Sequence, residues 1–345
     1  MKLELLDFTL EALQDWCIEN GEKPYRAKQI FKWIYQKRVE SFFDMSDISK
    51  QSQEKLDQTF KISSLQKHLV QVSADKTQKF LFKTKDGHYI ETVLMFQDYG
   101  LSICVTSQIG CNMGCQFCAS GLLKKKRNLD VSEIVDQILQ VQKEIDGRIS
   151  NIVVMGIGEP FDNYENVMNF VSIVNNDNGL GIGARRITIS TCGIAPMIRR
   201  FADEQSQVNL AISLHASNDK LRSEIMPINQ AYPIDELMDA LRYYLDKNNR
   251  RLTFEYILLK DVNDSKEHAL ELVKLIKGMN AYINLIPYNP VSEHGFQSSD
   301  IKTSLAFYDT LMKNKIQCTL RKEQGQDIDA ACGQLRAKQL ERTHI

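Results

Sequence analysis

From Leu101 onward, short apolar runs alternate with amphipathic stretches so regularly that few folds remain open to the chain. The runs Leu101 to Ser107, Asn151 to Ile157, Arg186 to Thr191, Val208 to Leu214, Leu252 to Leu259, Tyr282 to Pro287 and Ile316 to Arg321 have the length and composition of buried strands. Between them, Val131 to Asp146, Tyr164 to Asn175, Ile194 to Asp203, Ile234 to Asn248, Ser265 to Lys277 and Ser299 to Asn314 space their apolar residues as helices do. Such alternation builds βαβ units around a parallel sheet. A closed barrel of eight units needs two more than these six, so the expected fold is α/β, a TIM-like partial barrel of six β/α units. Ligands of such barrels gather at the C-terminal ends of the strands. Cys111, Gly158-Glu159, Ser190, Ser213-Leu214-His215 and Asn289 lie at or just past those ends and are expected to meet at one mouth.

The first part of the chain reads differently. Leu10 to Glu19, Tyr25 to Arg38 and Ile48 to Phe60 have the pattern of short helices, so residues 1–75 are expected to form a helical accessory domain. Lys79 to Thr84 and Tyr89 to Phe96 flank Asp86-Gly87, a strong two-residue turn signal, and residues 76–98 are expected to be a linking β-hairpin. Residues 99–335 then hold the barrel and a C-terminal loop, and residues 336–345 a tail.

No apolar run is long enough to span a bilayer, and Lys2, Glu4, Asp7, Glu11 and Asp15 among the first leucines are unlike a targeting segment. A cytoplasmic protein without a membrane partner is the expectation, and there eight cysteines point to metal or catalysis rather than to disulfides. A net charge of -1 gives no global nucleic-acid footprint, so any RNA contact must come from local basic patches.

The sharpest motif is Cys111-Asn-Met-Gly-Cys115-Gln-Phe-Cys118, spaced C-x3-C-x2-C on a loop after a strand. Thiolates hold iron–sulfur clusters, and three of them leave one iron of a cubane open for a small molecule. A zinc site would want two separated pairs or histidine partners, and no fourth ligand stands at motif spacing.

This motif after the first barrel strand resembles the radical S-adenosylmethionine (SAM) superfamily, as does Gly156-Ile157-Gly158-Glu159-Pro160 at the end of the next strand. Over nearly its whole length the chain is similar to the RlmN/Cfr family of RNA methyltransferases. The similarity runs through Gly158 to Asn163, Arg186 to Gly193, Asn209 to His215, Met226 to Asn229, Val262 to Asp264, Asn284 to Pro290 and Asp327 to Leu335. It implies a radical SAM barrel with one 4Fe–4S cluster on Cys111, Cys115 and Cys118. Gly158, Glu159, Ser190, Ser213, Leu214, His215 and Asn289 are implied to contact SAM, two molecules being used per turnover. On the residues alone, the serines and His215 read equally as strand-end hydrogen-bonding groups.

The family's target is C2 of adenine, which has no lone pair with which to attack a sulfonium methyl, so the resemblance implies a radical route. Cys332 is implied to accept a methyl and become S-methylcysteine. A 5′-deoxyadenosyl radical then removes a hydrogen from that methyl, and the carbon radical adds to C2, linking enzyme and RNA. Glu91 is implied to take the C2 proton, although a strand glutamate is more often solvated. Cys104 is implied to resolve the link through a transient disulfide with Cys332, which a low-potential donor such as flavodoxin or ferredoxin reopens. Cys17, Cys192 and Cys318 read as packing thiols.

The implied partners are 23S rRNA at the peptidyl-transferase centre, naked rather than assembled, and the anticodon-adjacent adenosine of some tRNAs, with the enzyme a monomer. Lys23, Arg26, Lys28, Lys32, Lys37 and Arg38, with Trp33 and Tyr35, could read phosphates or form a solvated helix face. Lys124-Lys125-Lys126-Arg127 directly follows the cysteine loop, where cations would meet an RNA backbone. Two other readings remain at this stage: a Cfr-like C8 methyltransferase, and a non-catalytic iron–sulfur or zinc RNA-binding protein.

Overall fold

A computed structural model describes residues 2–335, and the expected tail 336–345 lies outside them. Ten strands form one sheet whose spatial order follows the chain. They are β1 (Gln66–Val72), β2 (Gln78–Lys83), β3 (Tyr89–Gln97), β4 (Gly100–Cys104), β5 (Ile149–Val154), β6 (Ile187–Thr191), β7 (Asn209–Ser213), β8 (Leu252–Leu258), β9 (Ala281–Pro287) and β10 (Cys318–Leu320). Strands β1 to β4 pair antiparallel and β4 to β10 parallel, so β4 is the strand at which the sheet changes character.

The three helices before the sheet are α1 (Leu10–Glu19), α2 (Tyr25–Phe31) and α3 (Lys50–Thr59). Every parallel crossover carries a helix, as parallel pairing requires. In order these are α4 (Val131–Lys143), α5 (Tyr164–Asn175), α6 (Ala195–Asp203), α7 (Asp219–Ile225) with α8 (Ile234–Asn248), α9 (Lys266–Leu275) and α10 (Ile301–Lys313). The six expected units are thus present, and the sheet stays open because β10 does not pair back onto β4.

Side chains alternate across each strand, and the two faces of the parallel strands differ. Ile187, Ile189, Leu210, Ile212, Phe254, Tyr256, Ile283 and Leu285 belong to the main hydrophobic core. The alternate positions Thr188, Thr253, Glu255, Asn284 and Thr319 line an inner cavity. The inside of this barrel is therefore mixed, polar on the side of β6 to β10 and apolar where Val93, Met95, Val153 and Met155 line it, rather than a stack of aliphatic layers.

Two expectations need correction. Residues 66–72, read as part of the helical module, are strand β1, because Gln66, Lys67, His68 and Gln71 give an edge strand too polar to show an apolar alternation. The expected hairpin is present as β2–β3 and joins the barrel directly, with Val93 of β3 opposite Cys104 of β4. Tyr25 to Arg38 is also not one α-helix: it passes into a π-turn at Lys32–Gln36 and stops at Arg38, whose φ is 58°. No helix among the described residues is long and apolar enough to cross a membrane.

One buried side chain joins the two kinds of strand. Gln137 of α4 donates to the Thr106 carbonyl at 2.9 Å and accepts from the Thr106 N–H at 2.8 Å and the Thr92 hydroxyl at 2.7 Å. Gln137→Leu keeps the volume but strands buried polar groups on both neighbours, each costing about 1–3 kcal/mol. Urea unfolding should show a loss of at least about 2 kcal/mol, and an unchanged midpoint would mean that Gln137 does not join the strands.

Candidate active site

The cysteine loop is closed at its neck. Gln108 and Ile109 pair antiparallel with Asn128 and Arg127, and the Cys111 N–H donates to the Leu123 carbonyl at 2.8 Å. Gly110 sits at φ 74°, where a Cβ would lie 2.4 Å from the Lys124 carbonyl oxygen, so only glycine fits. Cys111, Cys115 and Cys118 face one cleft, half-buried and unpaired by disulfides. Burial pushes the Cys111 thiol up to about 12, and burial followed by the charges of Cys118 and Cys111 raises Cys115. Three thiolates in this loop thus need a cationic partner to exist together.

Among the described residues no three His, Cys, Asp or Glu side chains gather to hold a single metal ion. A cubane makes no such demand, since each thiolate binds a different iron. A three-sulfur loop opening on a cleft therefore fits a cluster with one iron left to a small molecule.

The glycine-rich segment borders the same cleft. A Cβ on Gly156 would lie 2.6 Å from the Thr106 hydroxyl, and one on Gly158 would lie 2.6 Å from Gln108 Cβ. Glu159 is buried, and its two carboxylate oxygens accept from the Phe161 N–H at 2.9 Å and the Cys192 N–H at 2.8 Å, tying the ends of β5 and β6. Ser190 and Ser213, on neighbouring strands, bring their hydroxyls within 3.4 Å of each other at the cleft wall.

His215 bends back toward the cleft because its backbone is left-handed, φ 58°. Its Nδ1 accepts from the Ile257 N–H at 3.1 Å, so Nε2 carries the proton of the neutral ring. Burial and then the Arg222 charge push its pKa down to about 3, which keeps it neutral. Leu214 behaves otherwise: its side chain is fully buried in the main core, on the opposite face from Ser213. Asn289 is buried in an adjoining pocket that also contains Cys332, and accepts from Gln326 Nε2 at 3.0 Å.

Cys332 reaches the cleft on the loop after β10 and is exposed, 3.9 Å from Arg321 Nη1. Cys104, buried at the end of β4, lines the inner cavity with it. Burial and then the nearby charge of Cys332 push the Cys104 thiol up to about 12. Glu91 does not line the cleft; it is buried on β3 and pairs with Lys79 Nζ at 3.4 Å. The same Lys79 donates to the Asp329 carbonyl at 3.2 Å, linking Glu91 to the Cys332 loop.

That loop is held by the β1–β2 turn. Asp327 accepts from the Ser73 hydroxyl and from the Ala74 N–H at 3.1 Å, and Asp75 accepts from the Gly325 N–H at 2.9 Å. Of the basic residues, Lys125 pairs with Asp162, and Arg127 with Asp86 and Glu133, so these two serve the fold. Arg26 also turns inward, onto Gln29 and the Asp47 carbonyl. Lys124, Lys126, Lys23, Lys28, Lys32, Lys37 and Arg38 remain exposed.

Sequence patterns did not single out Arg222, Glu255 or Arg321. Arg222 is fully buried and donates to the carbonyls of Cys192 at 2.6 Å and Leu214 at 3.2 Å. The quoted stretch Met226 to Asn229 was its available signal, since Asn229 Oδ1 accepts from Arg222 at 2.9 Å.

Comparison with known proteins agrees with this geometry. Residues 3–62 match the ribosomal RNA large subunit methyltransferase N-terminal domain, and residues 105–273 match the radical SAM superfamily. The chain is 55% identical to the protein named "Probable dual-specificity RNA methyltransferase RlmN" of Listeria welshimeri, over 100% of this chain and 96% of that one. It is also 55% identical to the protein of that name from Streptococcus pneumoniae serotype 4, over 99% of this chain and 97% of the relative. A crystal structure of a radical SAM methyltransferase from Sphaerobacter thermophilus superposes with a TM-score of 0.93 at 42% identity, covering 97% of this chain and 100% of that one.

The clamp on the Cys332 loop can be tested without any ligand. Asp327→Ala removes the acceptor for Ser73 and Ala74, and amide hydrogen exchange across residues 325–333 should accelerate several-fold while the barrel strands keep their protection. Unchanged exchange in that loop would show that it is held from elsewhere.

Proposed function

The chain belongs to the RlmN family of radical SAM dual-specificity RNA methyltransferases, and on that premise we propose that it methylates C2 of one adenosine in the peptidyl-transferase centre of 23S rRNA and of the anticodon-adjacent adenosine in tRNAs. The observation that carries this reading is the exposed thiol of Cys332, at the mouth where the three-cysteine loop opens and beside the buried thiol of Cys104. A simple iron–sulfur or zinc binding module would have no use for that second pair of thiols.

When bound, a 4Fe–4S cluster on Cys111, Cys115 and Cys118 and SAM supply the reducing electron, the methyl group and the hydrogen abstraction that an electron-poor aromatic carbon requires. Gly158, Glu159, Ser190, Ser213, Leu214 and His215 hold SAM at the cleft wall, Leu214 through its backbone because its side chain packs in the core, and Asn289 borders it from the adjoining pocket. Cys332 carries the methyl to the base as S-methylcysteine and becomes linked to C2. Glu91, kept in place by Lys79, takes the C2 proton. Cys104 then displaces the RNA by forming a disulfide with Cys332. Two SAM molecules are consumed per turnover, because methyl supply and hydrogen abstraction each require one.

C2 is buried in a stacked, paired base, so the substrate must present an unpaired adenine or extrude one. That requirement favours naked 23S rRNA over the assembled ribosome. The exposed lysines of the helical module and Lys124 and Lys126 at the cleft mouth suit an RNA backbone. A flavodoxin or ferredoxin in the cytoplasm is the fitting electron source, and a monomer suffices because the described residues of one chain supply every proposed group.

Anaerobically reconstituted protein, given an rRNA fragment and SAM with a deuterated methyl, should yield 2-methyladenosine carrying one deuterium fewer than supplied, as read by mass spectrometry. The appearance of 8-methyladenosine instead would assign the Cfr-like chemistry. With Cys104→Ala, RNA should accumulate covalently on the protein, and the absence of that adduct would remove the resolving role from Cys104.

A further inference from the structure

If Cys332 is to accept a methyl, its thiol must first lose a proton, since the thiolate is the nucleophile. Among the described residues, two carboxylates line the cleft, Glu159 and Glu255. Both oxygens of Glu159 are taken by backbone N–H groups. His215 has Nδ1 occupied by the Ile257 N–H and presents a proton rather than a lone pair. Cys104 is buried, and Arg321 is a permanent cation that stabilises a thiolate without accepting its proton.

Glu255 is different. It sits inside the barrel on β8, 4% exposed, with Oε1 accepting from Asn284 Nδ2 at 3.0 Å. Its Oε2 is buried and has no hydrogen-bond partner. A buried carboxylate oxygen with no partner in the protein is costly, so Oε2 is open to a water or a proton from the cleft. Glu255 and Cys332 line the same two connected pockets, and Arg321 responds to both. The other titratable groups facing this space are Cys104 from β4, Tyr99 before β4, Glu159 after β5, Cys192 after β6, His215 after β7 and the three cysteines of the loop.

We infer that Glu255 receives the proton of the Cys332 thiol, through a water in the shared cleft, and so prepares the thiolate that accepts the methyl of SAM. The inference rests on the methyl-carrying role given to Cys332 above. The S–H bond breaks with its electron pair left on sulfur, and the proton moves to Glu255 Oε2. The new S–CH3 bond forms as the sulfonium S–CH3 bond breaks, and S-adenosylhomocysteine leaves. Arg321, 3.9 Å from the sulfur, faces the negative charge during the step. Burial raises the Glu255 carboxyl above the ordinary range, which makes it a stronger acceptor for a thiol proton.

The test uses reconstituted full-length protein carrying Glu255→Gln, a change that keeps size and shape. SAM alone is added, and methylation of the Cys332 peptide is followed by mass spectrometry across pH. In parallel, iodoacetamide alkylation of Cys332 is measured without SAM, where the open cleft lets solvent remove the proton. Methyl transfer should fall roughly a hundredfold near neutral pH and recover at alkaline pH, where the thiol ionises before SAM binds, while alkylation proceeds at least as fast as in the parent. Unimpaired methyl transfer at neutral pH would overturn the inference, as would a loss that persists at high pH or that extends to alkylation. A parent protein that places no methyl on Cys332 would instead defeat the function from which the inference starts.

Discussion

Three thiols packed into one closed loop cannot ionise together unless positive charge is brought to them. Burial raises all three, and the charges of Cys111 and Cys118 bear on Cys115 between them, so the loop is poised to take up iron rather than to carry free thiolates. The neck formed by Ile109 with Arg127, and the Gly110 turn beneath the Lys124 carbonyl, hold the loop as a fixed cradle. Most of the remaining site faces that cradle. The strand ends at Glu159, Ser190, Ser213 and His215 form one wall of the cleft, and the loop carrying Cys332 forms another.

The two walls belong to different parts of the sheet. Parallel strands β5 to β8 carry the side chains that border the glycine-rich segment, whereas the Cys332 loop is fastened to the antiparallel strands through Asp327, Asp75 and Lys79. Strand β4 is the hinge between them, with Cys104 as its last residue and the cysteine loop directly after it. The polar side of the interior serves the same end, because Glu255 and Arg321 need a space that aliphatic layers would have filled. A fold that is otherwise a partial barrel thus gains an antiparallel extension that positions the Cys332 thiol.

Much of this was legible in the sequence because helix and strand periods are read directly. Tyr164–Asn175 and Ile234–Asn248 are helices over the residues expected from their spacing, and the bounds of each of the seven barrel strands lie within three residues of an expected apolar run. Strand β1 was hidden because an edge strand facing water has polar residues where a helix surface would also have them. The two-residue period also explains how three neighbouring residues are disposed: the Ser213 side chain faces the cleft, that of Leu214 faces the core, and His215 returns through its left-handed backbone. Glu255 and Arg321 carry no spacing signal, because each is one charged residue in or next to an apolar strand, and only the folded sheet shows that both line the cavity that Cys332 lines. Cys192, set aside as a packing thiol, is buried and also borders the cleft, with its N–H fixed by Glu159.

On the proposed function, the cysteine cradle holds a cluster with one iron left to SAM. Mössbauer spectroscopy of protein reconstituted with iron-57 tests it most directly, recorded with and without SAM. Four irons per chain, one of which changes its isomer shift when SAM is added, is the predicted result. Zinc in place of iron, or four irons that stay indistinguishable with SAM present, would contradict it.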